Sequence, residues 1–147
     1  MPALTEQHVP EWDRVNPRTG VLEEARLDVA TRDAITGHQI YIDVSVTCAH
    51  SSTALRQRAR FNHDGLAAVN AADSKRERYP PAGGELVPLI FEAAGRPGAE
   101  TVALVRSWGH DLEPAQKTET IRYAWQQLST LLQTGNAEVL LATSARL

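Results

Sequence analysis

A chain of 147 residues with 42% hydrophobic and 22% charged residues fits one globular domain of roughly 100–200 residues, which excludes disordered and fibrous classes. The single Cys48 cannot form an internal bridge, and a net charge of −3 lacks the overall basic footprint of nucleic-acid binders. Any nucleic acid would therefore have to be met by a local patch.

The first twenty residues carry Pro2, Pro10, Pro17 and Gly20 and read as a loop-rich opening in which Glu6 to Val9 is extended. No basic, apolar, small-residue order follows Met1, so no signal peptide is read and the expectation is an intracellular protein. From Leu22 to Thr31 apolar Ala25, Leu27 and Val29 alternate with Glu24, Arg26 and Asp28, the period of a half-buried strand. Ile40, Ile42, Val44 and Val46 alternate with Tyr41, Asp43, Ser45 and Thr47 in a second strand. Asp33 to Gly37 supplies the turn of a hairpin between them. Ser51 to Asn62 has no clean apolar stripe and is read as a loop or a short helix. Asp64 to Tyr79 is rich in Ala and charge and is stopped by Pro80-Pro81, which predicts a helix. Leu86, Val87, Leu89, Ile90 and Phe91 form a buried strand whose Pro88 requires an edge position or a bulge. Ala99 to Trp108 is helical. A longer amphipathic helix follows Pro114 through Ile121, Trp125, Leu128 and Leu132, with Gly135-Asn136 as a break before Ala137 to Ala142. No repeat and no run of 18 apolar residues points to a solenoid or a membrane span.

The chemistry concentrates on the hairpin. A turn centred between Ile35 and Thr36 sets Asp28 opposite Asp43. Opposed like charges destabilise a sheet unless one carboxylate pKa rises or a cation is recruited. Hard oxygen donors favour magnesium or manganese. In another register both acids lie on a solvated face. On the following helix Ala68, Ala72, Lys75 and Tyr79 share one face. The alanines permit close approach to a sheet, so Lys75 either neutralises charge near the acids or snorkels from a helix end.

These residues carry a family resemblance. Arg26-Leu27-Asp28-Val29, Ile42-Asp43-Val44-Ser45-Val46, Ala71 to Tyr79 and Leu86-Val87-Pro88-Leu89 resemble the restriction-enzyme-like endonuclease domain of site-specific non-LTR retrotransposon proteins, a branch of the PD-(D/E)xK nuclease superfamily. The resemblance covers about Glu6 to Gly98. It implies an α/β fold with a restriction-endonuclease-like mixed sheet flanked by helices, within a single unit over residues 1–147. The segments are a loop-rich opening (1–20), a catalytic core (21–98) and a helical extension (99–147). It further implies Asp28 and Asp43 as metal ligands, joined by the Val44 carbonyl, with Mg2+ or Mn2+ as the ion and Lys75 as the motif lysine. The product would be a DNA strand break with a free 3′ hydroxyl that primes reverse transcription, in a nuclear protein partnered by the reverse transcriptase portion of the same polyprotein. Three departures accompany it. Leu27 stands where the superfamily has Pro, Ser45 stands where the commoner pattern has its lysine, and no helix with an additional acid precedes the first strand.

Arg56, Arg58, Arg60, Arg76 and Arg78 are candidate DNA-backbone contacts; the interspersed Asp64, Asp73 and Glu77 equally suit a solvated charged face. Cys48, His50 and His63 match no zinc spacing and lack a fourth ligand. His110-Asp111 has no nucleophile signature beside it. Tyr79, Trp108, Tyr123 and Trp125 read as packing residues, and Glu92 as an acid at the end of a buried strand. The readings from other classes are a catalytically inactive DNA-binding or protein-interaction module, and a structural domain whose C-terminal helices pair with another chain.

Overall fold

The computed structural model describes residues 3–33, 36–48, 65–81 and 84–144. Alternation and turn chemistry build the sheet. β4 (Arg26–Arg32) and β5 (Gln39–Thr47) pair antiparallel from Val29↔Ile42 to Arg32↔Gln39. The turn between them is fixed by Asp33, whose Oδ1 accepts hydrogen bonds from the Thr36 backbone N–H at 2.6 Å and the Thr36 hydroxyl at 2.8 Å. Gly37 adopts a φ of +69°, open to a residue without Cβ.

β1 (Leu4–His8) pairs antiparallel with the other side of β4, and β6 (Glu85–Glu92) runs parallel to β5 over its whole length. The result is a mixed four-stranded sheet in the order β1-β4-β5-β6. The loop-rich expectation for residues 1–20 therefore needs correcting, because Leu4–His8 is an edge strand. The single strand expected over Leu22–Thr31 is also two pieces. β3 (Leu22–Glu23) pairs with β2 (Arg14–Val15) in a separate ribbon. The chain leaves the ladder at Ala25, whose N–H goes to the side chain of Asp13 at 2.7 Å.

Pro88 lies on an edge strand, as its missing N–H requires. Beyond Pro88 that edge is met from α2 (Ala99–Ser107) and the loop before it. The buried Thr101 hydroxyl accepts from the Ile90 N–H at 2.9 Å and donates to the Ile90 carbonyl at 3.0 Å, and the Gly98 N–H donates to the same carbonyl at 2.8 Å.

α1 (Leu66–Arg78) lays Ala68 and Ala72 against Ile90 on one face of the sheet. Its far end is held by Trp12, whose indole N–H donates to the Pro80 carbonyl at 2.6 Å. The Trp12 carbonyl in turn accepts from Arg78 at 2.6 Å. Trp12 is buried and its ring packs on Tyr41 and Tyr79, with centroids 5.1 and 5.4 Å apart. Tyr79 is thus a packing residue. Another cluster joins Ile42, Leu89 and Phe91 of the sheet to Trp125, Leu128 and Leu132 of α3 (Pro114–Ser144). The break expected at Gly135-Asn136 does not occur: α3 runs through both residues, and Asn136 Nδ2 donates to the Ala93 carbonyl at 2.8 Å. Trp125 packs as expected, whereas Trp108 and Tyr123 are exposed. No helix among the described residues is long and apolar enough to cross a membrane.

Candidate functional site

The β4–β5 ladder stops at Val29↔Ile42, one position short of the two acids, while β5 continues alongside β6 to Thr47. The next step of that register sets Asp28 opposite Asp43, as the turn predicts. At this point a side chain replaces the ladder: Asp28 Oδ2 accepts the Val44 backbone N–H at 2.6 Å. A charge-assisted bond of this length fixes the Asp28 carboxylate against β5.

Asp43 is buried, with a relative exposure of 5%, whereas Asp28 is half-buried. Lys75 of α1 brings its Nζ to 2.7 Å from Asp43 Oδ2. Three residues separated by 15 and 32 positions in the chain therefore converge on one place. The alanine face of α1 explains the approach, since Ala68 and Ala72 let the helix sit close to β6 while Lys75, one turn further on, reaches β5. The Trp12–Pro80 and Arg78–Trp12 bonds hold the helix end just beyond it.

The electrostatics are unbalanced. Burial pushes the Asp43 carboxyl above the usual carboxylate range; the Lys75 ammonium pulls the other way and the Asp28 carboxylate adds to the rise. Asp43 Oδ2 is a buried oxygen, and the Lys75 ammonium 2.7 Å away meets it as an ion pair. The carboxyl is nevertheless raised, so this contact offsets only part of what burial costs.

This donor set suits a hard divalent cation. Magnesium is commonly held by one or two carboxylates, with waters and substrate phosphates completing its shell. A buried carboxylate whose burial is only partly offset, beside a second carboxylate, offers such a place. Among the described residues no group of three or more His, Cys, Asp or Glu side chains converges, so a cation would rest on Asp28, Asp43 and backbone oxygen.

The remaining candidates are placed elsewhere or lie outside the described residues. Arg76 is tied to Glu100 and lies 3.4 Å from Asp73, and it lines a cleft of about 680 Å3 with His38, Tyr79 and Glu85 that contains neither acid nor Lys75. Its guanidinium is thus already engaged by carboxylates rather than turned to the acid pair. Arg56, Arg58, Arg60, His50 and His63 are among the residues not described. Cys48 is exposed, and the His110 ring pairs with its exposed neighbour Asp111 at 2.8 Å. Glu92 is buried at the end of β6, with Arg96 Nε 3.9 Å away, at the opposite end of the β5–β6 ladder from Ile40. Sequence reasoning missed Val44 N–H as the partner of Asp28; a backbone donor carries no signal in residue type. No protein-family model matches this chain, and neither a curated protein nor a solved structure matches it significantly.

Proposed function

We propose that this chain is a metal-dependent DNA endonuclease domain with a restriction-endonuclease-like fold, of the kind found in site-specific non-LTR retrotransposon proteins, and that it acts in the nucleus. The observation that carries the reading is the meeting of Lys75 with Asp43 at 2.7 Å, beside Asp28 and where β4 and β5 part. Two acids on adjacent strands and a lysine from the following helix are the set that phosphodiester hydrolysis calls for.

Asp28 and Asp43 would hold Mg2+ or Mn2+, with the Val44 carbonyl as a further donor. The ion, when bound, supplies Lewis-acid polarisation of a phosphate oxygen and a lower pKa for an attacking water. Val44 N–H keeps the Asp28 carboxylate aimed while it serves as a ligand. Lys75 contributes a positive charge toward the developing charge on the phosphate, and removal of one such contact costs about 10²–10³ in rate. Arg56, Arg58 and Arg60 would track the DNA backbone and give affinity without base information.

A second reading is a DNA-binding or interaction module without catalysis. The engagement of both carboxylates within the fold, Asp28 by the Val44 N–H and Asp43 by Lys75, favours it. Nicking of supercoiled plasmid in Mn2+ or Mg2+ separates the two. Wild type should nick, and Asp28→Ala, Asp43→Ala and Lys75→Ala, each shown to be folded, should lose about 10²-fold or more. A folded wild type that does not nick under any divalent ion sinks the nuclease reading and leaves the silent module.

A further inference from the structure

Lys75 occupies the position a cation would take. Its Nζ stands 2.7 Å from Asp43 Oδ2, a buried carboxylate oxygen, in a cluster where two carboxylates face a single ammonium. We propose, resting on the nuclease reading above, that Lys75 is the resident counter-ion of the acid pair and is exchanged for the divalent cation. The cation's arrival at Asp28 and Asp43 drives the ammonium off Asp43 Oδ2 and frees it for the scissile phosphate.

Two features carry the exchange. The first is charge: an ammonium and a divalent ion on the same carboxylate oxygen repel strongly in a partly desolvated site, so they cannot share Oδ2. The second is access. The Lys75 side chain keeps 28% of its surface exposed while that of Asp43 keeps 8%, so it is the lysine that has a way out. Its four-carbon stem swings without moving α1, whose backbone is held by the Ala68 and Ala72 contacts and by the Trp12 bonds beyond Lys75.

Lys75 and Lys117 are the only two lysines in the chain, and Lys117 lies on α3, outside the acid cluster. This makes Lys117 an internal reference for amine footprinting. The whole chain is treated with a trace of an acetylating ester at increasing Mn2+, with ion binding followed separately by the Mn2+ paramagnetic resonance signal and labelling read at each lysine by mass spectrometry. Lys75 labelling should rise several-fold with the midpoint of Mn2+ binding while Lys117 stays flat. In parallel, Lys75→Met should bind Mn2+ at least about tenfold more tightly, because its competitor is gone. Mn2+ binding with Lys75 labelling unchanged or falling overturns the exchange and leaves the metal-dependent nuclease standing. Equal Mn2+ affinity in wild type and a folded Lys75→Met protein does the same. No Mn2+ binding at millimolar ion removes the exchange and the metal site together.

Discussion

Asp28 and Val44 are joined by a bond that replaces a rung of the sheet: the Asp28 carboxylate takes the Val44 N–H at 2.6 Å just where β4 and β5 stop pairing. The acid is therefore both a structural clasp and the neighbour of a buried second acid. Opposed carboxylates would ordinarily weaken this pairing. Here one of them is committed to a backbone donor and the other faces an ammonium.

That division gives Asp43 a cost in stability. Its carboxyl titrates higher in the fold than in the unfolded chain, chiefly because it is buried, so the fold prefers its protonated form. A group with a raised folded pKa contributes stability that is fully present below its unfolded pKa and is lost as pH rises through its folded pKa. At neutral pH the wild type therefore carries a burial cost that an uncharged residue avoids. Asp43→Asn should raise stability at pH 7 by about 1 kcal/mol, or ~2–4 °C in Tm. The gain should vanish below pH about 4. Thermal melts across pH read this directly, and an Asn variant less stable than wild type at pH 7 would contradict the assigned direction.

The closing of β6 by Thr101 makes a sharper demand. Its hydroxyl serves both the N–H and the carbonyl of Ile90, and the residue is wholly buried. Thr101→Val keeps the shape and strands a buried N–H, while Gly98 still covers the carbonyl. Urea unfolding should show a loss of about 1–3 kcal/mol with an unchanged m value.

At Gly84 the limit is space. A Cβ there would lie 2.6 Å from Tyr41 Cε2 and 3.0 Å from the Gln39 carbonyl, and the Tyr41 ring is itself packed on Trp12. Gly84→Ala should therefore cost about 1–3 kcal/mol by overpacking, measured by the same unfolding.

Gly135 presents the opposite case. It sits inside α3 with nothing within 4 Å of a Cβ placed on it. Gly135→Ala should stabilise the protein by up to about 1 kcal/mol, since a helix-interior glycine carries that much backbone entropy. A fall in Tm would mean that the helix needs this residue for bending or contact.

Much of this was legible in the residues. The sequence centre of the hairpin predicted the β4–β5 register, Val29 opposite Ile42, because a short connection leaves few ways to pair. The alanines on the Lys75 face announced a helix lying close to a sheet. Pro88 announced an edge. What escaped depends on partners far away in the chain. The break after Glu23 arises because Ala25 turns its N–H to Asp13, and no alternation pattern shows a side-chain acceptor twelve residues back. The continuity of α3 at Gly135-Asn136 escaped because packing and the Asn136 bond to Ala93 outweigh a propensity near 1 kcal/mol.

The finish of the sheet's two borders bears on how the protein behaves in company. Along β6 one position has no N–H at all, and the next outward pair of groups is consumed by Thr101 and Gly98. Along β1 the backbone is thrown out of the extended region at Glu6, with φ +53°. Among the described residues neither border of this sheet offers another chain a continuous row of donors and acceptors, which blunts it as a template for strand-to-strand growth.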